Sequence, residues 1–400
     1  MSEIIVIGMD SSGITARHQQ LLDECSLIVC SKRLASYLHK PTVEVASITP
    51  LQDAFDKIAA ALPSGNVAVM ASGDPLFFGI GSKIIENFGN ERVRMYPALS
   101  SLQEAFAKFG MSWNDAKVVS LHGRKENHIP GLLLCSKKTF VFTDKHNSPD
   151  VIARTLLDYL LAIDDEKIRE KIVIHVAENL GMENEKVSRG SLAEIAEMSF
   201  SDLNVLCLVI PELPQRPTFG LHEDEISHSR GLITKDEVRA ATLHRLRLPQ
   251  KGVFWDIGGG SGSVSVEAAA MYPQLSVYTV ERKKEEIDNI RKNIRKFALF
   301  NITPLFGKAN DHLDLLPAPD AVFIGGSGGE LDRIVAVAAK RLTEGGRLVV
   351  NGVTEKTISL APQLMQQHEM TVETTRIAVS RTGPDGPMSF NPITIMVGRK

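Results

Sequence analysis

The chain has 400 residues, 43% of them hydrophobic and 23% charged, with a formal net charge of −3; it exceeds one ordinary domain and has the apolar content to fill two or three cores. No basic or acidic tail stands out, which argues against nucleic acid held by a general positive field. No apolar run reaches the ~18 residues of a membrane span, the amino terminus lacks a signal peptide's basic flank, and the four cysteines form no C-x-x-C pair, so free thiols in a reducing cytoplasm are expected.

In chain order, residues 4–8 form a short apolar run that reads as a first strand, and Met9 to Gly13 are turn-rich. A helix follows over 15–24 and a second strand over 26–30. Residues 51–62 place Leu51, Phe55, Ile58 and Leu62 at helical spacing. A third strand, 67–71, runs into Ser72, Gly73, Asp74 and Pro75. Strands at 93–97, 117–121, 139–143, 171–176 and 203–210 continue the pattern. Ser100 and Ser101 are placed to cap a helix over 102–109. Strands alternating with helices predict a mostly parallel sheet. This amino half, 1–210, is expected to divide again near Trp113.

After Ile210 the texture changes. Pro211, Pro214 and Pro217 favour extended chain, so 211–230 reads as a linker. Thr234, with Glu237 three residues on, reads as a capping box opening a helix. Strands at 252–257, 275–280, 302–306, 321–324 and 347–350 then alternate with helices, and 372–379 and 393–397 close the chain with no helix between them. That ending predicts an antiparallel edge on a parallel sheet, the order of S-adenosylmethionine methyltransferases rather than dehydrogenases. Residues 282–297 are rich in Lys and Arg; a basic patch for an anion is one reading. A solvated helix face is the other, with Ile287, Ile290, Ile294 and Phe297 as its buried stripe.

The sharpest motif is Trp255-Asp256-Ile257-Gly258-Gly259-Gly260-Ser261-Gly262, between an apolar strand and a helix opening. The dinucleotide fingerprint is G-x-G-x-x-G. Here the third glycine comes one residue early and the spacing is G-x-G-x-G. A pyrophosphate needs the helix amino terminus and that third glycine. S-adenosylmethionine has no phosphate and needs a backbone it can lie against, which glycine permits. Glu281 ends the next strand, placed to accept both ribose hydroxyls. Gly258, Gly259, Gly260, Ser261, Gly262, Glu281 and Thr234 are therefore cofactor candidates. Lys308 cannot accept from an adenine amino group, so contact there falls to the backbone of Ala309.

Several stretches combine into a resemblance. Ser72-Gly73-Asp74-Pro75 with Leu76 to Gly81, Ser100-Ser101 before a helix, and Ser120-Leu121-His122-Gly123-Arg124 resemble the tetrapyrrole methylase family, in particular its cobalamin-pathway member that methylates carbon 5. Ile233 to Arg239, the glycine loop, Pro319 to Gly329 and Gly345 to Asn351 resemble the partner enzymes that methylate carbon 15 and decarboxylate. The first loop departs from the family's G-x-G-P-G and reads Gly8 to Gly13. The resemblance implies a tetrapyrrole-methylase-type two-part α/β domain over 1–210, followed by a Rossmann-like S-adenosylmethionine methyltransferase domain over 231–400.

It further implies S-adenosylmethionine as cofactor, with Gly73, Asp74, Pro75, Ser100 and Ser101 serving it in the first half. The implied substrate is a precorrin or cobalt-precorrin, methylated at carbons 5 and 15 and decarboxylated at the carbon-12 acetate. A homo-oligomer is expected, without membrane, nucleic-acid or metal partners. His122, Arg124, Lys235 and Arg239 are candidates for pairing with substrate carboxylates, or else are structural ions. Gly325, Gly326, Ser327 and Gly328 offer a flat ligand close approach, or form a bare turn. Asp74 is a general base or, as Asp-Pro suggests, a turn-former. No Ser/His/Asp constellation is present, and no catalytic side chain is assigned. Two other readings stay open: an amino half that only holds the tetrapyrrole, and a nucleic-acid methyltransferase.

Overall fold

The computed structural model describes all residues except Met1, His39, Lys40, Arg124, Lys125, Asn127, Arg230, Leu232, Pro384 and Asp385. The chain forms two compact units. The first comprises residues 1–124, 138–151 and 173–208, and the second 125–137, 152–172 and 209–400.

The first unit holds two five-stranded sheets. One is built from β1 (Ile4–Met9), β2 (Cys25–Cys30), β3 (Glu44–Ser47), β4 (Asn66–Ser72) and β5 (Val93–Tyr96), in the order β3-β2-β4-β1-β5. All its pairings are parallel. Alternation along β1 sends Ile4 and Val6 to one face, against Ala54 and Ile58 of the helix Leu51–Ala61. Ile5 and Ile7 go to the other face, against Leu22 and Leu34. Burial on both faces explains why these strands read as continuous apolar runs.

The other sheet contains β6 (Lys117–Ser120), β7 (Lys138–Phe142), β8 (Val173–Glu178), β9 (Lys186–Gly190) and β10 (Asn204–Val209), in the order β6-β7-β10-β8-β9. Between the two sheets the helix Ser101–Phe109 starts at Ser100, whose hydroxyl caps it in a reciprocal box with Gln103.

The second unit is organised on a seven-stranded sheet. Its strands are β11 (Lys251–Ile257), β12 (Gln274–Glu281), β13 (Ile302–Phe306), β14 (Ala321–Ile324), β15 (Arg347–Gly352), β16 (Thr371–Ile377) and β19 (Ile393–Arg399). The order is β13-β12-β11-β14-β15-β19-β16. β11 to β15 pair in parallel, and β19 runs antiparallel between β15 and β16. The closing antiparallel edge is thus present. A small hairpin, β17 (Ser380–Gly383) with β18 (Gly386–Ser389), is inserted before β19. In the helix Lys284–Phe297, the stripe Ile287, Ile290, Ile294 and Phe297 is buried.

Two local expectations are corrected. Thr234 does not cap a helix: the helix spans Asp236–Leu246, with Lys235 at the cap and no side-chain capping bond. Glu237 is drawn away by Arg381, whose Nε and Nη2 donate to its two oxygens at 2.8 and 2.7 Å. Within 211–230, Leu221 and Ile226 are buried. Arg216 donates to Asn301 at 2.8 Å, and the Ser227 amide to Asn293 at 2.8 Å. Proline disfavours regular elements there but does not prevent packing.

Candidate functional site

Parallel strands place their carboxyl ends along one edge, where ligands of open α/β sheets bind. In the second unit that edge carries the loops after β11, β12, β13 and β14. The loop after β11 turns through Gly258, Gly260 and Gly262 at φ +67°, +55° and +76°, a region costly for other residues. A Cβ on Gly258 would run into the Gly326 carbonyl oxygen; one on Gly260 would meet nothing within 4 Å. The amide of Gly325 donates to Ile257 at 2.9 Å, holding the two loops together. Glu281, buried at the end of β12, accepts from the Gly260 amide at 3.0 Å and from Lys283 at 2.8 Å. Two of a carboxylate's roughly four acceptor sites are thereby used, and the rest remain for a ligand.

These loops enclose a cavity of about 190 Å³, lined by Gly258, Glu281, Lys308, Ala309, Gly326, Ser327 and Gly328 among others. The strand end and glycine loop next to it carry incompletely satisfied polar groups. Asp256 accepts from the Ser265 hydroxyl at 2.6 Å, while Asp256 Oδ1 and the Ser261 hydroxyl are buried without a protein partner among the described residues. Burial pushes the Asp256 carboxyl up to about 6, against the Ser265 hydrogen bonds that lower it. Glycines at positive φ and a carboxylate with spare acceptor sites fit S-adenosylmethionine. A larger depression of about 530 Å³, lined by Leu161, Asp164, Arg291 and Arg295 among others, includes none of these residues.

In the first unit, three loops converge at the carboxyl ends of β1, β4 and β5. The Gly73 amide donates to the Met9 carbonyl at 2.7 Å, and a Cβ on Gly8 would collide with the Gly73 carbonyl oxygen and come within 2.7 Å of the Ala98 nitrogen. Asp10 braces the loop between Met9 and Gly13 by accepting from the Ser12 and Leu99 amides at 2.9 and 3.3 Å. Asp74 accepts from the Leu76 amide at 2.9 Å, the turn-former reading. Gly73, Asp74 and Pro75 thus lie beside Ser100 and Ser101, and Ser100 is spent on its helix cap.

The four cationic candidates part company. His122 is exposed, with Nδ1 donating to the Thr143 carbonyl at 3.0 Å, which leaves Nε2 unprotonated in the neutral ring. Arg124 lies outside the described residues. Lys235 donates to Glu223 at 2.5 Å and sits 5.3 Å from the Phe390 ring. Around it Glu223, Asp236 and Glu237 are already paired with Lys235, Arg381 and Arg239, so no cation is left over for another carboxylate. Arg239 is corrected: its side chain is 1% exposed, ion-paired with Glu267 and bonded to the Thr234 carbonyl at 2.9 Å. It cannot reach a substrate.

Three features escape sequence reasoning. Asp256 lies inside the motif, and only the fold shows its burial and unsatisfied oxygen next to the glycine loop. Phe78 and Phe142 meet across the first unit's two sheets, their ring centroids 5.3 Å apart, though 64 positions separate them in sequence.

Removing the Glu281 carboxylate takes away the acceptor that aligns Gly260 and the expected acceptor for a ribose. Glu281→Ala is expected to weaken S-adenosylmethionine binding to the second site by about 1.5–3 kcal/mol, the worth of hydrogen bonds to a charged acceptor. Calorimetry on the full chain should resolve two classes of site with only one weakened; unchanged affinity at both would assign the ribose elsewhere.

Two family models match along the chain. Residues 4–196 match the model for Tetrapyrrole (Corrin/Porphyrin) Methylases, and 225–397 match the Precorrin methyltransferase domain. The chain is 32% identical to the precorrin-6Y C(5,15)-methyltransferase (decarboxylating) of a Sinorhizobium species, over 96% of this chain and 92% of that protein. A probable cobalt-precorrin-6B C(15)-methyltransferase (decarboxylating) of Pyrobaculum calidifontis is 35% identical, over 45% of this chain and 95% of its own length. A crystal structure of precorrin-6Y C5,15-methyltransferase from Geobacter metallireducens is 40% identical and covers 46% of this chain and 100% of that one, with a TM-score of 0.45. The chain belongs to the family of decarboxylating precorrin-6Y C(5,15)-methyltransferases.

Proposed function

We propose that the two units each transfer a methyl group to one precorrin macrocycle, the first at carbon 5 and the second at carbon 15, and that the second also releases the carbon-12 acetate carboxyl as carbon dioxide. The reaction belongs to cobalamin biosynthesis, as the family does. The observation that carries the reading is the cavity walled by the glycine loop, Glu281 and the loop after β14. Bound S-adenosylmethionine supplies a methyl group on a sulfonium, electrophilic without enzymic help.

What remains for the chain is alignment and exclusion of water. In the second unit, Gly258 to Gly262 would give the cofactor backbone to lie against and Glu281 would accept from its ribose hydroxyls. The backbone at Ala309 would be available to its base, and Gly326 to Gly328 would offer the macrocycle close approach. In the first unit the loops at Gly8, Gly73 to Pro75 and Ala98 to Ser101 do the same work. No side chain need act as nucleophile, because the ring nitrogens make the meso carbons electron-rich. The conjugated ring likewise accepts the electrons left by carbon dioxide. His122 is kept as a substrate contact of the first unit; Lys235 and Arg239 are not.

The test is to incubate the full chain with labelled S-adenosylmethionine and a metal-free or cobalt-loaded precursor, then count methyl groups by mass spectrometry. Two additions and one lost carboxyl are expected. Asp74→Ala, which frees the Leu76 amide and loosens the loop after β4, should give a singly methylated, decarboxylated product. A single addition by the wild-type chain would favour an amino half that only holds the substrate.

A further inference from the structure

Beside the Asp74-Pro75 turn, the first unit exposes an apolar surface that its own packing does not use. The chain after Pro75 folds back on itself. The Phe77 amide donates to the Asp74 carbonyl at 3.1 Å, and the Gly81 amide to the Pro75 carbonyl at 2.8 Å. At the outer point of this turn stands Phe78, with φ +55°. A bulky side chain in the left-handed region is an outlier that surrounding structure must hold, and such positions gather at functional sites.

The Phe78 ring is not sunk into a core. The residue is 54% exposed, and Leu76 and Leu99 beside the same loops are 50% and 53% exposed. One side of the ring is backed by other aromatics. Its centroid lies 5.1 Å from Phe77 and 5.3 Å from Phe142 at the end of β7, and Phe77 is itself 5.8 Å from Phe142. Next to Phe142, Thr143 anchors His122 through its carbonyl. Through Phe142 the ring thus neighbours the segment that holds His122, while Leu76 and Leu99 belong to the loops at Gly73 and Ser100. Contiguous exposed apolar surface at the edge of a polar site marks a binding surface.

We propose that Phe78 is a substrate-contacting residue of the first unit, and that its ring, backed by Phe142, is the platform on which the flat conjugated macrocycle lies. This rests on the reading of the first unit as a methyl-transfer site. Stacking on an aromatic face suits a planar π-system, and the leucines extend the apolar contact beneath it. The backbone of Phe78 is held in an unfavourable region to present that ring, so fold and function make opposite demands at this position.

That opposition gives the test a readout that a structural role would not produce. Phe78→Gly relieves the backbone and removes the ring. In the full chain, its thermal midpoint should stay the same or rise, and cofactor affinity by calorimetry should be unchanged. The KM for the macrocycle in carbon-5 methylation should rise tenfold or more. Phe78→Tyr should keep the wild-type KM, and carbon-15 methylation with decarboxylation should be unaffected in both variants. Wild-type carbon-5 kinetics in Phe78→Gly would overturn the proposal. So would a changed sedimentation coefficient with intact carbon-5 kinetics, which would assign the patch to contact between copies of the chain. If the wild-type chain adds no methyl group at carbon 5, it is the functional reading that fails.

Discussion

Gly258→Ala is expected to abolish carbon-15 methylation and release of carbon dioxide together, while carbon-5 methylation continues. Two penalties coincide at this residue. Its φ of +67° costs a non-glycine residue about 1–2 kcal/mol. The new Cβ would also run into the carbonyl oxygen of Gly326 in the loop after β14. That loop is held to the end of β11 by the Gly325 amide, and it forms the cavity wall opposite the glycine loop. Either loop must move, and a displacement of ~1 Å at a site whose work is alignment costs about 10²-fold in rate. Gly260→Val should act differently. Nothing lies within 4 Å of a Cβ there, so the cost is the φ of +55° rather than a clash, and the side chain projects from the loop proposed to carry the cofactor. Both variants should yield a singly methylated product that retains its carboxyl. Both should lower the stability of the second unit through their positive φ, and Gly258→Ala adds the clash with Gly326. A folded Gly258→Ala protein that releases carbon dioxide at the wild-type rate would move decarboxylation out of this site.

The glycine loop was legible because its requirement is local: three positive φ angles within five residues leave a mark in the sequence itself. Buried parallel strands were legible for a similar reason, since burial on both faces writes an unbroken apolar run. The elements that were missed left no such trace. β3 and β9 lie at the margins of their sheets with mostly exposed or half-buried residues, and the hairpin β17–β18 has almost no buried face. The capping box at Thr234 failed because a partner 144 positions away took the glutamate. Phe78 was hidden for the same reason: its backing ring, Phe142, comes from another sheet. Contacts between distant positions are what periodicity cannot show, and in this chain they separate the structural cations from those free to meet a substrate.

Arg239 shows that separation most sharply, and Arg239→Met is expected to destabilise the second unit by about 3–5 kcal/mol. In sequence it is one more cation near a helix start. In the fold its side chain and that of Glu267 are 1% and 2% exposed, with Nε 3.3 Å from Glu267 Oε2. That approach lacks hydrogen-bond alignment, so the contact is coulombic. The other nitrogens are well used: Nη1 donates to the Thr234 carbonyl at 2.9 Å, and Nη2 to Asp236 at 2.9 Å and to the Leu221 carbonyl. Glu267 accepts from the amides of Gly220 and Leu221 at 3.1 and 2.7 Å. The pair thus ties the strand-free segment around Leu221 to the helices Asp236–Leu246 and Ser263–Met271, and the second of these helices begins at the glycine loop. Methionine keeps much of the volume but leaves a buried carboxylate with two amide donors and no cation. Denaturant unfolding should show the loss in the transition of the second unit, with the first unit's transition unmoved. Adding Glu267→Gln should recover part of it, because the uncompensated charge is then gone. A loss below about 1 kcal/mol in the single variant would mean that water reaches Glu267 and that the pair behaves as a surface one.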